Sequence, residues 1–425
     1  MTDKKRDTNY DIIVAGGGFA GCAAAVAAAR TGTGKKVLLI EKSGALGGAA
    51  NVNLVNPFMR YYTKDPEGKP LTVLSRGIFG EIVGRLAEKG GIRGNIFSEE
   101  TLKTVLDEMC AEAGVKVLFH ALVCGADASD GLVKSVSAAG KSGIMTLSAS
   151  YFVDATADAD LSFLAGFPCR LGREKDGLCQ PMTLCFRVGN IDTVLFRKSL
   201  DIMQRAYLEA KESGATDNPR ENILCFDTLS PGVVHFNTTR IVKLDPVDPF
   251  DLSEAEIAAR RQVADIVKLL REKVPGCEEC VLLSTASEIG VRESRMIDGL
   301  YTLTADEIKA CCRFDDGIAA CNYDIDIHNP EGSGTSHYYF KGNDYYTIPY
   351  RCLVPSGSKN LLAAGRCISV THEVQASVRI MPVCCCLGEA AGTGAALAAG
   401  SGCGVAEVAP SAVRAAITGA GGFVG

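Results

Sequence analysis

Arg292 and Arg295 stand three residues apart in Glu288-Ile-Gly-Val-Arg292-Glu-Ser-Arg295, a spacing that puts both guanidiniums on one face of a helix. Placed so, they could clamp a carboxylate or phosphate. Pairing with a structural acid such as Glu288 or Glu293, or contact with a cofactor, is the competing use. A proton donor or acceptor is expected at His328, because alternation in Asp324-Ile-Asp-Ile-His328 places both aspartates and the imidazole on one strand face. Negative charge beside it would raise the ring's pKa. Of the five histidines, His372 and then His235 are the next candidates. Tyr350 and Arg351 are expected where a substrate enters, and Tyr338, Tyr339, Tyr345 and Tyr346 either line the same cavity or pack on one another. These residue types suit chemistry on a small polar or anionic molecule, with groups to hold it and one to move a proton.

A second constellation handles phosphate. Gly16-Gly17-Gly18-Phe19-Ala20-Gly21 fits G-x-G-x-x-G, follows the apolar run Tyr10-Asp-Ile-Ile-Val-Ala15, and opens an alanine-rich segment. Gly16 permits the tight turn, Gly18 lets backbone approach a pyrophosphate, and Gly21 lets helix and strand pack closely. The helix amino end stabilises the negative charge. Glu41 ends the next apolar run, Lys36-Val-Leu-Leu-Ile40, and is expected to accept hydrogen bonds from ribose hydroxyls. A carboxylate there disfavours NADP.

Glu41-Lys42-Ser-Gly-Ala-Leu-Gly47-Gly48-Ala49 adds a second glycine pair close to the cofactor. Phe152-Val-Asp-Ala155-Thr156 and Leu361-Leu-Ala-Ala-Gly365-Arg366 have the form of further flavin-binding strands. Together these pieces favour FAD over NAD. With Ile348-Pro-Tyr350-Arg351, Arg379-Ile-Met381-Pro382 and Gly388-Glu-Ala-Ala-Gly392, they resemble the FAD-dependent oxidoreductase family of bacterial proteins related to the glutathione reductase and fumarate reductase flavoproteins. The resemblance covers nearly the whole chain. It implies that Gly365 and Arg366 contact the pyrophosphate or ribityl chain, and that the helix after Pro382 points its amino end at the flavin. Lys42, Ala49, Val123 and Met381 join the implied cofactor set. Two departures stand out: Ala157 occupies a position where relatives commonly have glycine, and no histidine adjoins Gly47-Gly48 for covalent attachment, so FAD is expected to bind non-covalently.

The elements that must position these residues read as an α/β architecture. It comprises a Rossmann-type, three-layer FAD-binding domain with a parallel sheet, in residues 1–160 and 345–425, interrupted by an inserted α+β substrate or cap domain in 161–344. Helices are expected at 19–30, 98–113, 253–273 and 382–399, and strands at 115–119, 132–137, 144–149, 151–153 and 360–364. The segment 383–399 is too rich in Gly and Ala, and too broken by Glu389, for a membrane span, and reads as a buried helix. A net charge of -6 disfavours nucleic acid, and a polar start leading directly into a buried strand leaves no signal peptide, so the expected location is cytoplasmic.

Eighteen cysteines are expected as reduced, packed thiols. Cys277-Glu-Glu-Cys280 lacks the second pair that a metal site needs, and Cys384-Cys385-Cys386 falls in an apolar helix pattern. The expected activity is hydride exchange between flavin N5 and a small polar or anionic substrate, in one direction or the other. The alternative is an FAD-holding subunit that passes electrons to a partner protein.

Overall fold

The computed structural model describes residues 7–32 and 34–425; part of the polar amino-terminal segment read above lies outside them. β1 (Asn9–Ala15) leads through the glycine turn into α1 (Phe19–Thr31) and back into β2 (Val37–Ile40). β1 and β2 are buried on both faces over their apolar runs, as parallel strands covered by helices require. The sheet runs from Lys116–Leu118 through β2 and β1 to the strand Gly143–Asp154, all parallel. Gly143–Asp154 is one strand where the sequence reads as two. Its first half pairs antiparallel with Leu132–Gly140 and its last residues pair parallel with Leu361–Ala363, so hydrogen bonding carries it through Ser150 without a break. The late strand thus returns to the sheet of the first βαβ unit, with Gly143–Asp154 between it and β1.

Two large cores form. One spans the sheet and its helices and includes Met296, Leu303, Ile318, Ile325, Tyr346 and Ile348; the other is packed from residues between Met182 and Ile289. The second is built around the four-stranded antiparallel sheet that contains Phe186–Gly189 and Val234–Phe236, with the helix Pro249–Lys273 against it. That helix starts four residues before Ser253. Asp248 caps it, accepting from the backbone of Phe250 and Asp251, with Pro249 at the first helical position, while Ser253 donates back to the Pro249 carbonyl.

The helix Met381–Ser401 is long and apolar enough to cross a membrane by length and composition, but it is 83% buried inside the protein. It lies along α1. A Cβ on Gly388 would sit 2.0 Å from the Ala20 carbonyl oxygen, and one on Gly392 2.0 Å from that of Ala24. Only glycine allows the two helix backbones to touch at these points. Cys384, Cys385 and Cys386 are buried in this helix, and burial pushes the Cys384 and Cys386 thiols up to about 12.

Candidate active site

The glycine turn has the shape its residue types dictate. Gly16 has a φ of 97°, and a Cβ there would meet the Ala155 carbonyl oxygen at 2.3 Å; a Cβ on Gly21 would meet the Gly16 carbonyl oxygen at 1.7 Å. Gly18, at the start of α1, faces open space. Gly48 lies over it, and Gly47 donates its N–H to the Gly17 carbonyl at 2.8 Å, so the second glycine pair is docked on the first turn. Neither α1 nor the helix Met381–Ser401 has a side chain capping its amino end. Free N–H groups and positive dipole ends are therefore available at two places, one beside the gap at Gly18. This cradle fits a dinucleotide pyrophosphate.

Glu41 is buried and braces the turn, Oε2 accepting from Gly17 N at 2.6 Å and Oε1 from Ser43 N at 2.7 Å. Each oxygen keeps a lone pair for a ribose hydroxyl. Lys42 pairs with Glu288 at 2.7 Å, Val123 is buried in the sheet, and Ala49 sits in the turn before Asn51. Ala155 donates its N–H to the carbonyl of Ala15 at the end of β1 at 2.8 Å, and Thr156 donates to the wholly buried Asp154 at 2.7 Å. Gly365 has a φ of 89° and packs near Ala20. Arg366 holds Asp158 at 2.6 Å and Ser294 at 3.1 Å.

Ala157 has a φ of 73°, in the left-handed region where glycine is at home. A side chain there costs about 1–2 kcal/mol, against about 0.5–1 kcal/mol for glycine's extra freedom when unfolded. Ala157→Gly is therefore expected to stabilise the protein by up to about 1 kcal/mol, read as a higher urea midpoint.

Arg292 and Arg295 do not share a helix face. Residues 290–294 are not helical: Gly290 exchanges paired backbone bonds with Thr183, a bend falls at Arg292, and Arg295 opens the strand Arg295–Ile297. Arg295 donates Nε to the Asp158 backbone carbonyl at 2.9 Å, pairs with the Asp160 carboxylate and lies over the Phe163 ring. Burial and the charges of Asp158 and Asp154 raise Asp160 to about 6. Structural pairing is what Arg295 does, with Asp160 and not with the Glu288 or Glu293 expected. Arg292 instead donates to the Pro181 carbonyl at 2.7 Å and to Thr183 and Asn237 side chains, and no acid pairs with it among the described residues. Burial, then Arg379 and Arg220, lower its pKa to about 9.

His328 joins this basic cluster, on the strand Ile325–His328. Asp324 lies before the strand and pairs with Arg60 at 3.0 Å. Asp326 Oδ2 lies 3.5 Å from His328 Nε2, and Arg240 Nη2 lies 2.9 Å from Nδ1. A guanidinium only donates, so Nδ1 accepts and Nε2 carries the hydrogen toward Asp326. Both ring nitrogens are engaged. Contrary to the expected rise, the pKa falls to about 3, because burial and the Arg292 charge outweigh Asp326.

Tyr350 and Arg351 are not brought to this cluster. Tyr350 Oη bonds the Val405 carbonyl and packs on Gly394, about 20 Å along the helix from Met381 at 1.5 Å per residue. Arg351 stacks on Tyr301 beside Asp316, and both line a separate cavity of about 580 Å³. Tyr338 and Tyr339 are exposed, whereas Tyr346 is fully buried with its hydroxyl on Ser377 at 2.7 Å. His235 is sealed in the second core's sheet with neither nitrogen partnered, and burial lowers it to about 3. His372 Nδ1 lies 2.7 Å from the buried carboxylate of Glu293.

Arg220, Arg240 and Arg379 carried no local signal that assigned them to a site. Arg379 stands inside a motif noted above, immediately before a helix start, and that position was the one available hint.

A strand, glycine turn and helix closed by a late parallel strand, with an uncapped helix end at the turn, define a dinucleotide-binding redox enzyme. The chain belongs to the FAD dependent oxidoreductase family, whose model matches residues 11–417. It is an FAD-dependent enzyme. Solved structures similar to it include a geranylgeranyl bacteriochlorophyll reductase-like protein from Thermoplasma acidophilum, at 13% identity over 97% of this chain and 83% of that one, TM-score 0.45. The myxobacterial chondrochloren halogenase CndH is 14% identical over 95% and 77%, TM-score 0.42. Aklavinone-11 hydroxylase, solved with FAD and aklavinone, is 17% identical over 70% of this chain and 55% of its own, TM-score 0.38, so this chain spans just over half its length. No curated protein matches the sequence.

Proposed function

We propose that this enzyme exchanges a hydride between FAD and a small organic anion held by Arg292 and its neighbours. The observation that carries this reading is the unbalanced buried cluster. Arg292 has no acid partner, and Arg220 Nη1 and Arg379 Nε are buried with no partner among the described residues. Buried guanidiniums left unsatisfied are costly, and a carboxylate or similar anion supplies both the missing charge and the missing acceptors. Arg379 lies two residues before the helix start at Met381, so the cluster borders the helix end that the family resemblance assigns to the flavin.

When bound, FAD supplies two-electron acceptance or donation at its isoalloxazine ring. The glycine turn and Glu41 would hold its adenosine diphosphate part, with Gly365 and Arg366 toward the ribityl chain. Arg292, Arg379 and Arg220 would fix the substrate's anionic end and so orient the reacting carbon. His328, neutral and doubly bonded, serves as a rigid brace between Arg240 and Asp326.

The test is anaerobic bleaching of the yellow holoenzyme across matched small molecules: hydroxy acids, amino acids and enoates beside their esters and amides. Carboxylates should react, or reoxidise the reduced enzyme, while their neutral counterparts do not. Equal rates for both forms would reject the anion site. One feature favours the alternative of a protein electron partner: the edge strand Val281–Thr285 of the second core's sheet exposes Val281, Leu282 and Leu283. Under that reading no small molecule bleaches the flavin.

A further inference from the structure

His372 stands in contrast to His328. It opens the short helix His372–Val378, between the Gly365-Arg366 turn and the helix that starts at Met381. Its Nδ1 meets Glu293 Oε1 at 2.7 Å, and Glu293 is wholly buried. A carboxylate oxygen only accepts, so Nδ1 carries the hydrogen and the neutral ring keeps its lone pair on Nε2. That nitrogen has no protein partner among the described residues and is not sealed from solvent.

The dyad is held from several directions. Glu293 Oε2 accepts from Gln180 N at 2.8 Å; Gln180 Nε2 donates to Gln375 Oε1 at 2.9 Å; Gln375 Nε2 donates to the Arg292 carbonyl at 2.7 Å. This chain links the dyad to the backbone of the very residue whose side chain enters the basic cluster. Two buried polar atoms remain open nearby: Gln180 Oε1, an acceptor on a residue 1% exposed, and Thr371 Oγ1, a hydroxyl on the residue before His372 that can accept or donate. Open acceptors around a free imidazole nitrogen call for a ligand that brings hydrogen-bond donors.

We propose that His372, oriented by Glu293, is the catalytic residue that exchanges a proton with the substrate. The proposal rests on the anion-oxidoreductase reading above and assigns its proton. When a substrate H–C–X–H is oxidised, the hydride leaves carbon with both electrons of the C–H bond to FAD, and the X–H bond must lose a proton as C=X forms. Nε2 of His372 takes that proton, and the positive charge it gains is balanced by Glu293, which acts as a positioning residue. In the reverse direction the same nitrogen returns the proton.

The experiment has two arms, both on the FAD-loaded enzyme. In the first, diethyl pyrocarbonate modifies accessible imidazoles and the sites are mapped by mass spectrometry. His372 is expected to react along with the surface residues His120 and His337, while His328 and His235 are spared until the protein unfolds. A protected His372 overturns the proposal whether or not a substrate has been found.

In the second arm, flavin bleaching by a reacting anion is followed against pH. The wild-type rate should fall at low pH as the base is protonated. His372→Asn should lower the rate roughly 10²- to 10⁴-fold and remove that limb, with FAD content retained. Glu293→Gln should lower the limiting rate of bleaching with the half-saturating substrate concentration unchanged, as loss of a positioning residue requires. His328→Asn should leave the limb in place. A His372→Asn enzyme that keeps the limb at near wild-type rate overturns the proposal. Failure of every anion to bleach the flavin instead counts against the substrate reading, and the labelling arm still decides His372.

Discussion

Replacing Arg292 with methionine is expected to lower the second-order rate constant for flavin bleaching by the enzyme's anionic substrate roughly 30- to 5,000-fold, with FAD content unchanged. The size follows from removing one partner of a buried charge-assisted contact, which costs about 2–5 kcal/mol. Methionine keeps the aliphatic volume and leaves no unpaired charge, so the loss should appear in substrate affinity rather than in folding. Arg295→Met is the control. Its guanidinium is spent on Asp158 and Asp160, so that change should lower the melting temperature and leave the dependence on substrate charge intact. Stopped-flow bleaching against substrate concentration checks both, and an Arg292→Met enzyme with unaltered saturation would show that the cluster is not the anion site.

Glu389→Gln is expected to stabilise the protein at pH 8 by about 3 kcal/mol and to have little effect at pH 5. Glu389 is buried in the helix Met381–Ser401, and accepts from Ile78 N at 3.2 Å above Gly77, where a Cβ would lie 2.5 Å from its carboxylate. Burial raises its pKa from 4.5 to about 7, opposed by the Ile78 hydrogen bond and the Arg30 charge, with Glu81 adding to the rise. A raised folded pKa means that the contribution is fully present below the unfolded value and is lost as pH rises through about 7. Ionisation of the folded chain at pH 8 therefore costs the difference between the two values, at about 1.36 kcal/mol per unit. Glutamine keeps an acceptor for Ile78 and never ionises. Urea midpoints at the two pH values test this; a difference that does not grow with pH would mean Glu389 is solvated in the native state.

The cofactor half of the site was legible because its requirements are local. Gly16, Gly18 and Gly21 stand in one turn; Gly21 answers the Gly16 carbonyl inside it, Gly18 leaves open space, and Glu41 reaches back to Gly17 across a single helix, while only Gly16 answers a distant neighbour, the Ala155 carbonyl. The substrate half was read less well, for two physical reasons. Period alone assigned Arg292 and Arg295 to a helix, but bridging between Thr183 and Gly290, more than a hundred residues apart, and a bend at Arg292 keep that segment out of a helix. His328 was judged by the aspartates on its own segment, whereas burial and guanidiniums from distant segments set its state. Tyr350 and Arg351 fell in a motif that serves packing near the far end of the last long helix. Charge clusters assembled from separate elements leave no periodic trace in any one of them.

The glycine seam between α1 and the helix Met381–Ser401 also fixes when this protein can fold during synthesis. The first ten residues of α1 are buried, much of that face against a helix roughly 360 residues further along the chain. At about 5–20 residues per second the ribosome needs roughly 20–70 seconds to supply that cover. For all of that interval the nascent chain carries an alanine-rich helix with no partner and a parallel sheet that lacks its late strand. The cover of α1 and the last parallel strand of its sheet are thus supplied only once residues 361–401 have been made.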